Sequence, residues 1–82
     1  MKELNYRKGS NLEWVYGVLK NLVKFPFNGV GPGWFVCGED LDRVRAMGMP
    51  SFRTNVSIVS KAMGIKVWVR VFEDEILLMR VK

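Results

Sequence analysis

The sequence predicts an α+β domain. Three observations carry that expectation. Apolar residues recur at helical spacing in two segments, residues 10–24 and 51–63. Residues 65–82 instead alternate apolar and polar with period two around an acidic turn. Glycine- and proline-containing stretches separate these segments. Periods of 3.6 and 2 in different parts of one short chain mark helices and strands in series.

The chain has 82 residues, enough for one small domain. Residues 1–9 are polar and basic and read as a flexible basic arm, with residues 10–82 as the single folded unit. Ser10 and Glu13 have capping-box spacing, in which hydroxyl and carboxylate satisfy backbone donors at a helix start. Leu12, Val15, Leu19, Leu22 and Val23 then form one apolar stripe. The helix is expected to end before Pro26, since the residue preceding proline avoids the helical region.

Residues 25–33 contain Asn28-Gly29 and Gly31-Pro32-Gly33, which is turn chemistry. A short strand is expected at residues 34–37, with Cys37 as a small core thiol. Gly38 breaks it, and Glu39 or Asp40 is expected to cap a short helix running to about Met47. Gly48-Met49-Pro50 is a turn. Phe52, Val56, Val59 and Met63 make one face of the next helix. Arg53, Ser57 and Lys61 line another, with Thr54 and Ser60 at its margins. Gly64 suits the left-handed position just past a helix end.

In the closing hairpin, a three-residue loop Glu73-Asp74-Glu75 pairs Phe72 with Ile76, Arg70 with Leu78 and Trp68 with Arg80. The valines at 67, 69 and 71 then share a face with Leu77, Met79 and Val81. The other face is aromatic and basic. A two-residue loop would slip the pairing by one and regroup both faces. The strand at residues 76–82 is expected to be an exposed edge through which the chain could form a homodimer.

The charge balance is basic. Thirteen Lys and Arg against eight Asp and Glu give net +5, which favours anionic partners. Placement adds to this. Arg43, Arg45, Arg53, Lys61, Lys66 and Arg70 are separated by no acid at all. Histidine is absent and there is a single cysteine. That removes the commonest general base and metal ligand and any internal disulfide. Glu39, Asp40 and Asp42 could hold a magnesium ion, but helix capping accounts for them better. The expectation is therefore no catalytic residues, no metal, no cofactor and no enzyme activity. The glycine turn at 29–33 is no phosphate loop, because a strand follows it and no Gly-Lys-Ser/Thr is present. No apolar run is long enough to span a bilayer, so a soluble cytoplasmic protein is expected.

The element order resembles that of a winged helix-turn-helix domain, with residues 39–63 as the two-helix unit and 65–82 as the wing. A second resemblance rests on Phe25-Pro26-Phe27, Gly31-Pro32-Gly33-Trp34-Phe35-Val36, the Arg53 and Lys61 helix, residues 64–71 and Met79-Arg80-Val81. These residues look like a family of small uncharacterised phage and prophage proteins. That likeness implies a phage-like origin in a host-cell cytoplasm and a strand-helix-hairpin core, and no established reaction. Where that family has a glycine in the last hairpin, this chain has Glu73-Asp74-Glu75.

The functional expectation is nucleic-acid binding, to DNA or another nucleic acid, through Arg53, Thr54, Ser57, Lys61, Lys66, Trp68, Arg70, Arg80 and Lys82. Lys2, Arg7 and Lys8 of the arm could add contacts. Hydroxyls and long cations suit phosphate and base-edge contacts. A tryptophan on a basic strand can stack a base. Against this, the helix face reads equally as an ordinary solvated surface. Trp68 reads rather better as part of a second small core under the N-terminal helix, with Phe72, Ile76 and Leu78 on the same side. The alternative function is an accessory protein whose basic, aromatic surface docks on an acidic host protein.

Overall fold

The computed structural model describes residues 5–24, 26, 27, 29, 31 and 33–82. The first helix, α1 (Asn11–Leu19), starts where the capping box puts it. Ser10 Oγ accepts from Glu13 N–H at 3.1 Å. The Glu13 carboxylate reaches one residue further back than the usual box and accepts from Gly9 N–H at 2.9 Å. A 3-10 turn, Lys20–Leu22, tightens the end of α1 before the chain reaches Pro26. Tyr16 and Val18 join the predicted stripe in the core. Before α1, Ser10 N–H donates to Arg7 O, and Tyr6 packs edge-on against Tyr16. Lys2 of the expected arm lies outside the described residues, as do Phe25, Asn28, Val30 and Pro32 of the expected connection.

Strand β1 (Gly33–Val36) runs one residue ahead of its expected position. Cys37 is therefore beyond the strand and exposed, not a core thiol. The chain turns outward at Gly38, whose φ is +59°. Gly38, and neither Glu39 nor Asp40, is the N-cap of α2 (Glu39–Met47). Glu39, Asp40 and Asp42 occupy the first turn of α2, where the positive end of the helix dipole favours them.

Gly48 alone separates α2 from α3 (Met49–Met63). Its φ of +91° lets one residue end the first helix and begin the second. Gly48 N–H donates to Val44 O, and Gly48 O accepts from Phe52 N–H, both at 2.9 Å. Pro50 sits in the first turn of α3, where its missing donor costs nothing. Gly64 ends α3 in the left-handed region, and Ile65 N–H bonds back to Ser60 O at 3.0 Å. This is the Schellman arrangement that reverses a chain into a following strand.

Strands β2 (Val67–Val71) and β3 (Ile76–Arg80) complete an antiparallel sheet of order β1-β3-β2. Two expectations are corrected here. The strand at 76–80 is central, paired on both sides, and among the described residues the free edges belong to β1 and β2. The hairpin register is also one residue off the expected one: Val71 pairs with Ile76, Arg70 with Leu77, Trp68 with Met79 and Val67 with Arg80. The loop is the two-residue turn Glu73-Asp74, closed by Phe72 N–H donating to Glu75 O at 2.8 Å.

The slip decides which face is core. Val67 and Val69 now share the inner face with Ile76 and Leu78, which are fully buried. Leu77 and Met79 point to the opposite face. β1 selects this register, because Val36, itself fully buried, pairs with Ile76. The helices cover the inner face, with Leu19, Leu22, Val44, Phe52 and Val59 packed around the same core. A radius of gyration of 12.0 Å is what one compact unit of this length has, about 12 Å.

Candidate nucleic-acid interface

α3 and β2 diverge from Gly64 and leave a groove of about 620 Å³ between them. Its floor is apolar: Val56, Ile65, Val67 and Val69. Its rim carries Arg53, Ser57 and Lys61 from the helix and Lys66 and Trp68 from the strand. Five of the predicted site residues therefore converge on one concave surface, and among the described residues no carboxylate lines it. The helical ones meet there because Arg53, Ser57 and Lys61 are four apart and so lie along one side of α3. Lys66 and Trp68 alternate with Val67 and Val69 and so point to the outer face; they border the groove only along the outermost edge of β2. Ser60 also lines the groove, but its hydroxyl already donates to Ser57 O at 3.2 Å.

The other predicted residues lie elsewhere. Thr54 is exposed on the solvent side of α3, beside Ser51 and Ile58. Arg70 is exposed on the outer sheet face, next along the strand from Trp68. Arg80 is on the inner side of β3, opposite Val67. Its guanidinium lies 5.0 Å from the Phe27 ring centroid, and its Nε donates to Lys82 O at 3.1 Å. Lys82 is exposed at the chain end, and its backbone oxygen also accepts from Lys66 N–H.

Trp68 does not form a second core under the N-terminal helix. α1 packs against α3, and Ile76 and Leu78 belong to the main core. Trp68 is 61% exposed and Phe72 44% exposed on the outer face. Phe35 of β1, 52% exposed, joins them across Leu77. Sequence reasoning misses Phe35 as a surface residue because the hairpin slip that exposes its neighbour Leu77 is not visible locally. Gly33 keeps this outer face flat: a Cβ there would approach Leu77 Cδ1 to 3.3 Å.

Charge is unevenly distributed along the hairpin. Lys66 stands at its base, and Glu73, Asp74 and Glu75 at its tip. The tip reaches the end of α2, where Arg45 Nη2 donates to Glu73 O at 3.3 Å. Arg45 also lies 4.0 Å from Asp42. Arg43 is stacked over Trp14, 5.1 Å from its ring centroid. It lines a smaller recess of about 300 Å³ that also holds Glu13 and Asp40, a mixed-charge surface unlike the groove. Among the described residues no group of three acidic or thiol side chains converges as a metal site. No described helix is long and apolar enough to cross a membrane. Comparison of the chain with protein-family profiles, curated proteins and solved structures returns no match.

Proposed function

We propose that this chain binds nucleic acid, in the first place duplex DNA, through α3 and the base of the β2–β3 hairpin. One observation carries the reading: Arg53, Ser57, Lys61, Lys66 and Trp68 rim a single groove that, among the described residues, no carboxylate lines. α3 has 15 residues, a length of about 22 Å that can lie along a major groove. Its exposed side carries hydroxyls and cations and no acid. Arg53, Lys61 and Lys66 neutralise phosphates, while Thr54 and Ser57 meet base edges. The helix-strand-helix-helix-strand-strand order, with two helices joined at one glycine, has the layout of a winged helix-turn-helix reader; a phage-type protein acting in a host-cell cytoplasm is the setting proposed for it.

The wing works differently from a basic one in this reading. The carboxylates of Glu73, Asp74 and Glu75 repel phosphate, so contact stays at the hairpin base. Arg80 is held against Phe27 and contributes little, and Lys82 stands apart from the groove. A protein-binding reading has its own support in the exposed aromatics Phe35, Trp68 and Phe72, and it predicts a complex indifferent to salt.

Fluorescence anisotropy with labelled duplex DNA at low salt tests the proposal. The double substitution Arg53→Ala with Lys61→Ala is expected to weaken binding at least tenfold, the effect of about 1.4 kcal/mol. Arg80→Ala is expected to change it less than threefold. Equal losses for both would sink the assignment of the groove.

A further inference from the structure

The free edge of β2 points to a second copy of this chain. β2 is the outermost strand of its sheet. Phe72 N–H and Lys66 O bond toward β3 and the chain end. By the alternation of an antiparallel ladder, Trp68 and Arg70 do the same. Val67, Val69 and Val71 therefore turn their N–H and C=O groups outward. Among the described residues no strand pairs with them. The segment Val67-Trp68-Val69-Arg70-Val71 has no proline and no glycine, and its pairing with β3 is unbroken. It thus lacks the usual devices that blunt an edge, apart from its charge.

Charge selects the partner and the register. In a two-fold antiparallel pairing centred on Trp68, Lys66 falls opposite Arg70 of the second copy, cation against cation. Centred on Arg70, the two arginines face each other. Like charges directly opposite are destabilising. Centred on Val69, Trp68 falls opposite Arg70 of the second copy and Lys66 opposite its Phe72. Val67 meets its Val71, and the outward backbone groups of all three valines find partners. Centring nearer either end forfeits overlap. The Val69 register therefore opposes each cation with an aromatic ring, a favourable cation–π arrangement. It also brings Glu73 and Asp74 of the acidic turn alongside Ile65 and Gly64 of the other copy, next to its Lys66.

We propose that β2 pairs with β2 of a second copy about a two-fold axis at Val69, joining two sheets into one of six strands. The exposed Trp68 and Arg70 are then each other's partners across the axis. This inference stands apart from the nucleic-acid reading. The groove's strand wall lies along the same edge, so pairing and nucleic acid draw on Lys66 and Trp68 in common.

The test uses the full chain without nucleic acid. Sedimentation equilibrium is expected to show a monomer–dimer equilibrium between about 10 μM and 1 mM. In a Cys37→Ser background, Val69→Cys is expected to form a disulfide-linked dimer on mild oxidation. Directly opposed residues of an H-bonded antiparallel pair have Cα atoms about 5.5 Å apart, within disulfide reach. Val71→Cys in the same background is expected to stay unlinked, its two copies being about 14 Å apart. A chain monomeric at about 1 mM overturns the inference. So does a dimer in which Val71→Cys links as readily as Val69→Cys, or in which folded Val69→Cys does not link. If Val69→Cys fails to fold by circular dichroism, sedimentation of the unsubstituted chain decides.

Discussion

Individual residues of this chain do their work through backbone geometry as much as through side chains. Gly48 holds φ at +91° while ending α2 and starting α3. Open space surrounds the position where its Cβ would be, so the cost of Gly48→Ala is conformational alone. Thermal or denaturant unfolding is expected to show a loss of about 1–3 kcal/mol for Gly48→Ala. An unchanged stability would mean that the helix junction is not under this constraint. Ser10 is the contrasting case, because its cap was readable from the spacing Ser10-x-x-Glu13 alone. Cys37 and Gly38 were not readable in the same way. Which of two adjacent residues leaves the strand depends on how β1 registers against β3, and no local pattern encodes that.

Among the elements, the two long helices followed from apolar spacing, and their caps and breakers agreed with it. The hairpin strands were legible too, since six alternating residues surround a charged turn. Their register was not. Both candidate registers place a continuous apolar set on one face, Ile76 and Leu78 in one and Leu77 and Met79 in the other. The turn contains no glycine or asparagine to announce its length. Among the described residues no non-glycine residue has positive φ, so Glu73-Asp74 is not one of the primed turns that make two-residue hairpins recognisable. The decision comes from the third strand, when Val36 pairs with Ile76. A pair of substitutions tests that register. Leu78→Ala is expected to cost about 2–5 kcal/mol of unfolding free energy, as for a fully buried leucine. Leu77→Ala, half-buried on the outer face, is expected to cost about 1 kcal/mol or less. The reverse order in chemical denaturation would restore the three-residue loop.

At the scale of the whole molecule, the fold separates charge that the sequence presents only as an average. Net +5 is divided between a groove rimmed by Arg53, Lys61 and Lys66 and cations already stacked on rings, as Arg43 is on Trp14 and Arg80 on Phe27. The candidate site was thus half legible. Residues four apart on a helix and two apart on a strand had to fall on common faces, so Arg53, Ser57, Lys61, Lys66 and Trp68 were nameable in advance. That Lys66 and Trp68 reach the helix's groove along the edge of β2, although they point to the outer face, while Arg80 turns to the inner side of the sheet, depends on the hairpin register and the reversal at Gly64.

The salt dependence of DNA binding counts the phosphates that the groove's cations neutralise. Each phosphate neutralised releases condensed counterions, giving a slope of about −0.9 per contact in log K against log salt concentration. Contacts by Arg53, Lys61 and Lys66 therefore predict a slope of about −3 for the full chain. Lys61→Gln is expected to bring it to about −2. A slope near zero, or one that Lys61→Gln leaves unchanged, would contradict the account and place the anionic partner, if there is one, away from this groove.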